Sequence, residues 1–434
     1  GTGSRLGLKM YTLEDWVRHG DELRRPLLVS DGLVGSESVG IVGGGLSGLS
    51  LAYRIGTARP DLPIKLIEKT GRLGGVIETW REGEWVCDLS VNAVRPHPSF
   101  WRLVDDLDMG GSFNPSRDTA SSRWVILRDG KHRISPATIL KIGALGFFRG
   151  ALNSRKSDSS VLDVIQNSEI ADAITLGIVN DTAAEVDANF LFPSLTGFGP
   201  KAPISRRRLK KKISKSYPIF TPRRGSLASL EGGMEEIIRG LHNAISKMGN
   251  IEIIMESGEK GPDELSSAYD IPISSMIWAS TLPGRKYGQT ALSVFVVGFP
   301  EEEVSGVETG YGTLIPDSKS PISGILHESD IHSSSRAPES HRLFRLMVPH
   351  TRWDGNEQSV RESLRELDGF SGEPAILQRI GERNIPRYPP GYLSSLMSYK
   401  GDLSLSGWTG SGVSVTHVVD EAERISELFT QGRK

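Results

Sequence analysis

Short apolar runs broken by glycine alternate along this chain with stretches whose apolar positions recur at helical spacing. Val39 to Val42 and Ile64 to Ile67 are too brief for helices and are bounded by turn residues, which predicts buried strands. Between them Leu49, Ala52, Tyr53 and Ile55 mark one face of a helix beginning near Leu46. Ile77 to Thr79 and Trp85 to Leu89 read as a hairpin, and Ser121 to Arg133 as another that turns at Asp129-Gly130. Ser159 to Gln166 and Ile170 to Ile178 have helical spacing, and an amphipathic helix runs through Ile237, Ile238 and Leu241. Ile251 to Met255 and Met276 to Ser280 predict strands of the first fold, whereas Leu292 to Phe299 and Leu343 to Val348 suit an antiparallel sheet. Gly401 to Thr430 ends the pattern as strand, glycine turn and amphipathic helix. The expected class is α/β. A Rossmann-type domain is assembled from residues 36–110, 221–290 and 395–434, with a mostly helical insertion at 111–220 and a sheet-based domain at 291–394.

The turn between the first strand and helix carries Gly43, Gly45 and Gly48 as G-x-G-x-x-G. The first glycine permits the tight turn, the second lets backbone approach a pyrophosphate, and the third lets the helix pack on the sheet. The helix N-terminus offers N–H groups and a positive dipole end to a diphosphate. Glu68 ends the second strand twenty residues after the last glycine, where a carboxylate accepts from ribose hydroxyls and disfavours the 2′-phosphate of NADP. Arg72, Gly74 and Gly75 then form R-x-G-G, a pattern that resembles the flavin amine oxidase superfamily. There the arginine and the close glycine backbone stand against the diphosphate side of FAD, so FAD is the expected cofactor.

The formal net charge of −2 argues against nucleic acid as a bulk partner. The single cysteine, Cys87, excludes a disulfide framework, and the nine histidines show no metal-ligand spacing, so no metal site is expected. With no spanning apolar run and no signal-peptide h-region, the expected location is intracellular: cytoplasmic, or peripheral on a membrane. Two stretches keep that choice open. Pro136 to Leu152 is apolar apart from Lys141 and Arg149, which fits a buried helix or one docking on lipid. Ser205 to Lys215 is the densest charge run and reads as a solvated loop.

Beyond the glycine motifs, LEGGMEEI, LFPSL, YGTLIPDS, ISGILHES, NIPRYPPGY and LSGWTGSGVSV together resemble the protoporphyrinogen and coproporphyrinogen oxidases, a branch of that superfamily, over roughly Val39 to Leu428. The resemblance implies an FAD enzyme that oxidises a porphyrinogen in three two-electron steps, with dioxygen or another electron acceptor. Peripheral membrane contact through the helical insertion and a homodimer are further candidate partners. It implies a propionate-binding role for Arg123, apolar walls for the tetrapyrrole at Leu314, Leu326 and Met347, and a backbone facing the substrate at Gly177. Gly407, Gly412 and Val413 resemble the turn whose N–H groups meet the flavin ring. No catalytic side chain beyond the cofactor is implied, because methylene oxidation needs no protein nucleophile. The chain departs from the family at Ser90-Val91, where Gly-Pro is usual, and at Asn92, where arginine is common. It also departs at Val179-Asn180-Asp181 and at Tyr392. Two other readings therefore stay open: another FAD oxidase or desaturase acting on an amine or polyene, and a catalytically impaired flavin-binding protein.

Overall fold

A computed structural model describes residues 25–95, 97–135, 143–193, 195–199, 207, 227–282 and 284–431. The charge run at 205–215, apart from Arg207, and the start of the apolar stretch at 136–142 lie outside the described residues. The strands in chain order are β1 (Val39–Val42), β2 (Ile64–Ile67), β3 (Thr79–Glu82), β4 (Trp85–Asp88), β5 (Phe113–Pro115), β6 (Arg123–Leu127), β7 (Gly130–Arg133) and β8 (Ala228–Leu230). They continue with β9 (Ile251–Ile254), β10 (Met276–Trp278), β11 (Gln289–Pro300), β12 (Gly312–Leu314), β13 (Gly324–Leu326), β14 (His341–Pro349), β15 (Ile376–Pro386) and β16 (Ser404–Leu405). The α/β class stands.

The first sheet has the order β16-β10-β1-β2-β9 with every pairing parallel. Its central strand β1 is buried at every residue, as a parallel strand covered on both faces must be. Helices α1 (Leu46–Ala58), α2 (Pro98–Asp106), α5 (Glu235–Ile245) and α6 (Val415–Leu428) build one core with it through Leu49, Ile55, Phe100, Leu241, Val419 and Ile425. The close fit of α1 depends on Gly48: a Cβ there would lie 1.8 Å from the Gly43 carbonyl oxygen. The acidic cluster on α2, which alone suggests a solvated face, is partly inside. Asp106 pairs with Arg54, whose other nitrogen lies 3.0 Å from the buried Glu423.

The second sheet is ordered β15-β11-β14-β13-β12-β6-β7. The hairpin β6–β7, which falls in the 111–220 segment, completes its edge by a parallel pairing of β6 with β12. One face is a sealed aromatic core of Phe295, Phe299, Phe344, Leu346 and Val348 under the Glu357–Arg365 helix. The other face is set by register. Arg123, Gly312, Leu326, Arg345 and Val296 fall in one row, Val125, Leu314, Gly324, Met347 and Val294 in the next, and Leu292 with Arg383 in a third. Beyond the sheet, helices α3 (Gly143–Asn153) and α4 (Ser168–Val179) form the helical part. On α3, Leu145, Phe148 and Leu152 are 62%, 64% and 52% exposed, so this face is not that of a core helix.

A buried ionic chain joins the β3–β4 hairpin to the second sheet. Asp88, at the end of β4, receives Arg336 at 3.1 Å, Thr79 Oγ1 at 2.7 Å and the Met234 N–H at 2.8 Å. Arg336 reaches His332 Nδ1 at 3.3 Å, His332 Nε2 lies 2.9 Å from Glu328, and Glu328 lies 3.0 Å from Arg345 Nε. Burial lowers the affinity of His332 for a proton, so the neutral ring donates from Nε2 and accepts at Nδ1. Burial alone would raise the Glu328 carboxyl, but Arg345, His332 and Arg336 outweigh it and hold the group at about 2.

This gives a stability prediction. A carboxylate whose folded pKa lies below its unfolded value stabilises the fold fully above the unfolded value, near 4.5, and loses that contribution as pH falls towards 2. Denaturant unfolding of Glu328→Gln at pH 7 is expected to show a loss of about 3 to 5 kcal/mol, as for a buried pair broken on one side. The variant should also lose the acid-side slope between pH 4.5 and 2, and an unchanged slope would remove Glu328 from the chain of charges.

Candidate active site

A cavity of about 540 Å³ opens where the parallel strands of the first sheet end. Its walls come from the segments after each of those strands: Gly43, Gly45 and Ser47 after β1, Glu68 to Gly75 after β2, Ser257 to Lys260 after β9, Ala279 to Thr281 after β10, and Gly407, Trp408 and Val413 after β16. Ligands of open α/β sheets sit at these carboxyl ends. The strand order stretches the cavity across the sheet, about 19 Å for the four interstrand spacings from the Ser257–Lys260 segment after β9, past Glu68 after β2, to Gly407 after β16. That shape suits an elongated ligand.

On the Glu68 side the motif residues meet as expected. The Gly74 N–H donates to the Gly44 carbonyl at 2.8 Å, which lays the R-x-G-G turn beside the first glycine turn. A Cβ on Gly45 would stand 3.7 Å from Gly75 Cα, so the two bare backbones form a cradle. No side chain caps α1 and no acid occupies its first turn, which leaves its N–H groups for an anion. Glu68 accepts from the Gly44 N–H at 2.7 Å, the Thr70 N–H at 2.9 Å and Thr70 Oγ1 at 2.7 Å. A carboxylate has about four acceptor positions, so one remains for a ribose hydroxyl. Arg72 lines the cavity, yet its guanidinium is turned onto the carbonyls of Leu73 at 3.1 Å, Ile77 at 3.2 Å and Gly75. It holds the turn that presents the glycine backbone. These donors and bare backbones fit the adenine, ribose and diphosphate of FAD.

The Gly407 side differs in detail. Gly407 and Val413 line the cavity, whereas Gly412 packs towards Phe190, 3.2 Å from the position of a Cβ, and is not among the lining residues. The Gly407 N–H is already taken: Glu421 of α6 accepts from it at 2.7 Å and from Ser406 Oγ at 2.6 Å. Burial pushes the Glu421 carboxyl up to about 7 against those hydrogen bonds. Val91 also lines the cavity. Its segment is pinned by Arg345, which donates to the Ser90 carbonyl at 3.0 Å and to that of Asp88, and by Ser90 Oγ on the Val76 carbonyl at 2.6 Å. Asp181, one of the departures, is paired with Arg387 at 2.9 Å.

Of the expected substrate residues, Leu314, Met347 and Gly177 come together: a Cβ on Gly177 would lie 3.0 Å from Leu314 Cδ2, and one on Gly324 2.8 Å from Met347 Cε. Leu326 is one row away, beside Arg345. Arg123 is exposed at the start of β6, its Cζ 4.7 Å from the centre of the Tyr311 ring, and Tyr311 OH donates to Asn92 Oδ1 at 3.1 Å. None of these five lines the elongated cavity; they form a neighbouring wall on the same sheet face as Arg383, which does line it. Arg383, Trp408, Thr281 and Ser257 to Lys260 were not singled out from the sequence. The rule that ligands gather at parallel-strand carboxyl ends finds all except Arg383 once strand order is known.

Two glycines separate folding from binding. Gly45→Ala meets only ordinary contacts in the protein but puts a methyl into the cradle. It is expected to leave the melting temperature of the flavin-free protein unchanged and to weaken FAD binding at least tenfold in an absorbance titration, a cost of about 1.4 kcal/mol or more. Gly48→Ala, which drives a methyl into a carbonyl, should instead lower stability by about 3 kcal/mol.

Comparison with known proteins agrees with this geometry. Residues 41–107 match the family of NAD(P)-binding Rossmann-like domains. Over 92% of its length the chain is 19% identical to coproporphyrinogen III oxidase of Staphylococcus aureus, covering 98% of that protein. The crystal structure of a candidate protoporphyrinogen oxidase from Exiguobacterium sp. 255-15 superposes with a TM-score of 0.61 at 17% identity, over 90% of this chain and 98% of that one. Cyclohexylamine oxidase from Brevibacterium oxydans gives 0.59 at 12% identity, over 92% and 99%. The chain is thus similar in sequence to coproporphyrinogen III oxidase at low identity, and it shares the fold of the solved porphyrinogen and amine oxidases it superposes on.

Proposed function

We propose that this chain oxidises a porphyrinogen, protoporphyrinogen IX or coproporphyrinogen III, to the porphyrin in tetrapyrrole and haem biosynthesis. The observation that carries this reading is the composition of one sheet face. Its paired positions hold Leu314, Leu326, Met347 and Val294, with the exposed Arg123 at one end and no acid; Arg345 on the same face is already matched by Glu328. A flat apolar macrocycle with a propionate carboxylate at its rim matches such a surface in both shape and charge. A cationic amine does not: it would meet Arg123 where it needs a carboxylate, which weighs against the amine oxidase alternative.

FAD, when bound, supplies two-electron oxidation of a C–H bond. The chain's own residues supply the pose. Leu314 and Met347, packed against Gly177 and Gly324, present an apolar wall that excludes water from the reacting methylene. Arg123, held over Tyr311, offers two parallel N–H donors to a propionate at the rim. Because Arg123 is exposed, it reads a carboxylate that stays near solvent while the rings go inside. The same reading extends to peripheral membrane contact, supported by the exposed Leu145, Phe148 and Leu152 beside Arg149 on α3.

Anaerobic mixing with each porphyrinogen, followed by flavin absorbance, tests the reaction. Bleaching by a porphyrinogen is expected, and bleaching only by amines or polyenes would overturn the proposal. Arg123→Ala should raise KM for the porphyrinogen roughly ten- to a hundredfold with kcat little changed, a loss of about 1.5 to 3 kcal/mol. Co-sedimentation with anionic vesicles should fall several-fold in the double variant Leu145→Ser, Phe148→Ser.

A further inference from the structure

Arg383 projects from β15 into the elongated cavity, and among the described residues nothing accepts a hydrogen bond from it. Its Nε is buried and unpartnered. Burial, with the neighbouring Arg345 cation adding to it, pushes the Arg383 guanidinium down to about 9. Arg345 by contrast has an ion-pair partner in Glu328 and donates to the carbonyls of Asp88 and Ser90. A charged donor atom shut off from water without an acceptor is costly to hold. The natural resolution is an acceptor brought by what occupies the cavity.

Position narrows that acceptor. The cavity runs from Glu68, which suits a ribose, to the turn at Gly407. Arg383 belongs to the Gly407 end, because its strand continues into Tyr388, whose OH donates to the Trp408 carbonyl at 2.7 Å, and Tyr392, whose OH donates to that of Thr409 at 2.9 Å. At this end the Gly407 N–H is already spent on Glu421. A negative charge developing on a ring placed here therefore finds one backbone donor fewer than the turn would otherwise offer.

We propose that Arg383 is the cation that holds the ring end of the bound flavin and favours its reduced, negatively charged form. This rests on FAD occupying the cavity. The two-electron-reduced ring carries one negative charge on its pyrimidine side when it is not protonated there, and Arg383 is the side chain lining this end that can neutralise it. In the oxidised state the same guanidinium can donate only to neutral ring acceptors, so its effect falls mainly on the reduced state.

The test uses the FAD-loaded full chain and Arg383→Met and Arg383→Lys variants. In Arg383→Met the reduced flavin should be held ten- to a hundredfold more weakly relative to the oxidised one, which lowers the two-electron potential by about 30 to 60 mV. Sulfite, which adds to the flavin and leaves the ring anionic, should bind correspondingly more weakly. Arg383→Lys should recover most of both shifts. The flavin-free Arg383→Met protein should melt no lower than the parent, since an unpaired buried cation has been removed. FAD bound with unchanged potential and sulfite affinity would overturn the role of Arg383 while leaving the cofactor in place. So would an unchanged potential with a raised KM only for carboxylated substrates, which would assign the residue to the substrate. Failure of the parent chain to take up FAD at all would overturn the reading on which the inference rests.

Discussion

The chain of buried charges from Asp88 through Arg336, His332 and Glu328 to Arg345 fixes how the halves of this protein are oriented where they meet. Each half has a core of its own, and a third apolar cluster joins them, in which Val42, Ile67, Trp278 and Leu405 share one core with Leu292, Val294 and Ile385. Beside that cluster, what crosses is polar and directional. Arg345 donates to the carbonyls on either side of Leu89, and the Leu89 side chain packs against the bare backbone of Gly381 on β15. Apolar packing alone tolerates sliding, whereas directional hydrogen bonds and buried ion pairs do not. The network therefore helps to fix where the second sheet stands relative to the segment from Asp88 to Ser90.

That junction also gives meaning to the departures from the family pattern. Ser90 and Val91 replace a rigid Gly-Pro, yet the segment is pinned by the Ser90 hydroxyl from below and by Arg345 from above. Asn92, where an arginine is common, receives the Tyr311 hydroxyl, and Tyr311 in turn carries Arg123 on its ring. Unmatched positive charge at this face comes from the sheet instead: Arg123 stands on β6 and Arg383 on β15, whereas Arg345 on β14 is matched by Glu328. A site can keep its charge while changing the strand that supplies it, because a carboxylate responds to where a guanidinium stands and not to its place in the chain.

The cofactor half was legible from sequence because its determinants are local. Gly43, Gly45, Gly48, Glu68 and the Arg72–Gly75 turn lie within one βαβ unit, so spacing and residue type define the geometry without knowledge of the rest of the chain. Leu314, Leu326 and Met347 stood out only by resemblance. An apolar residue on a strand reads the same whether it faces a core or a cavity, and only register places these three on the face opposite the Phe295–Phe344 core. Three features escaped pattern reading for one shared reason, that their partners are remote in sequence. Asp106 is not a solvated acid because Arg54 and Glu423 lie beside it. Gly407 does not offer its N–H to the cavity because Glu421 takes it. Arg383 is an unpaired cation because the strand pairing turns it inward.

The sequence by itself determined the α/β class, the parallel βαβ unit and the dinucleotide cradle, since hydrophobic period, glycine spacing and one acid act over a few tens of residues. Only the tertiary structure decided which strand ends share the cavity, which face of the second sheet looks towards it, and which charged groups are left there without partners. Those outcomes depend on strand order and on burial against distant segments, and neither is encoded in any single stretch of the chain.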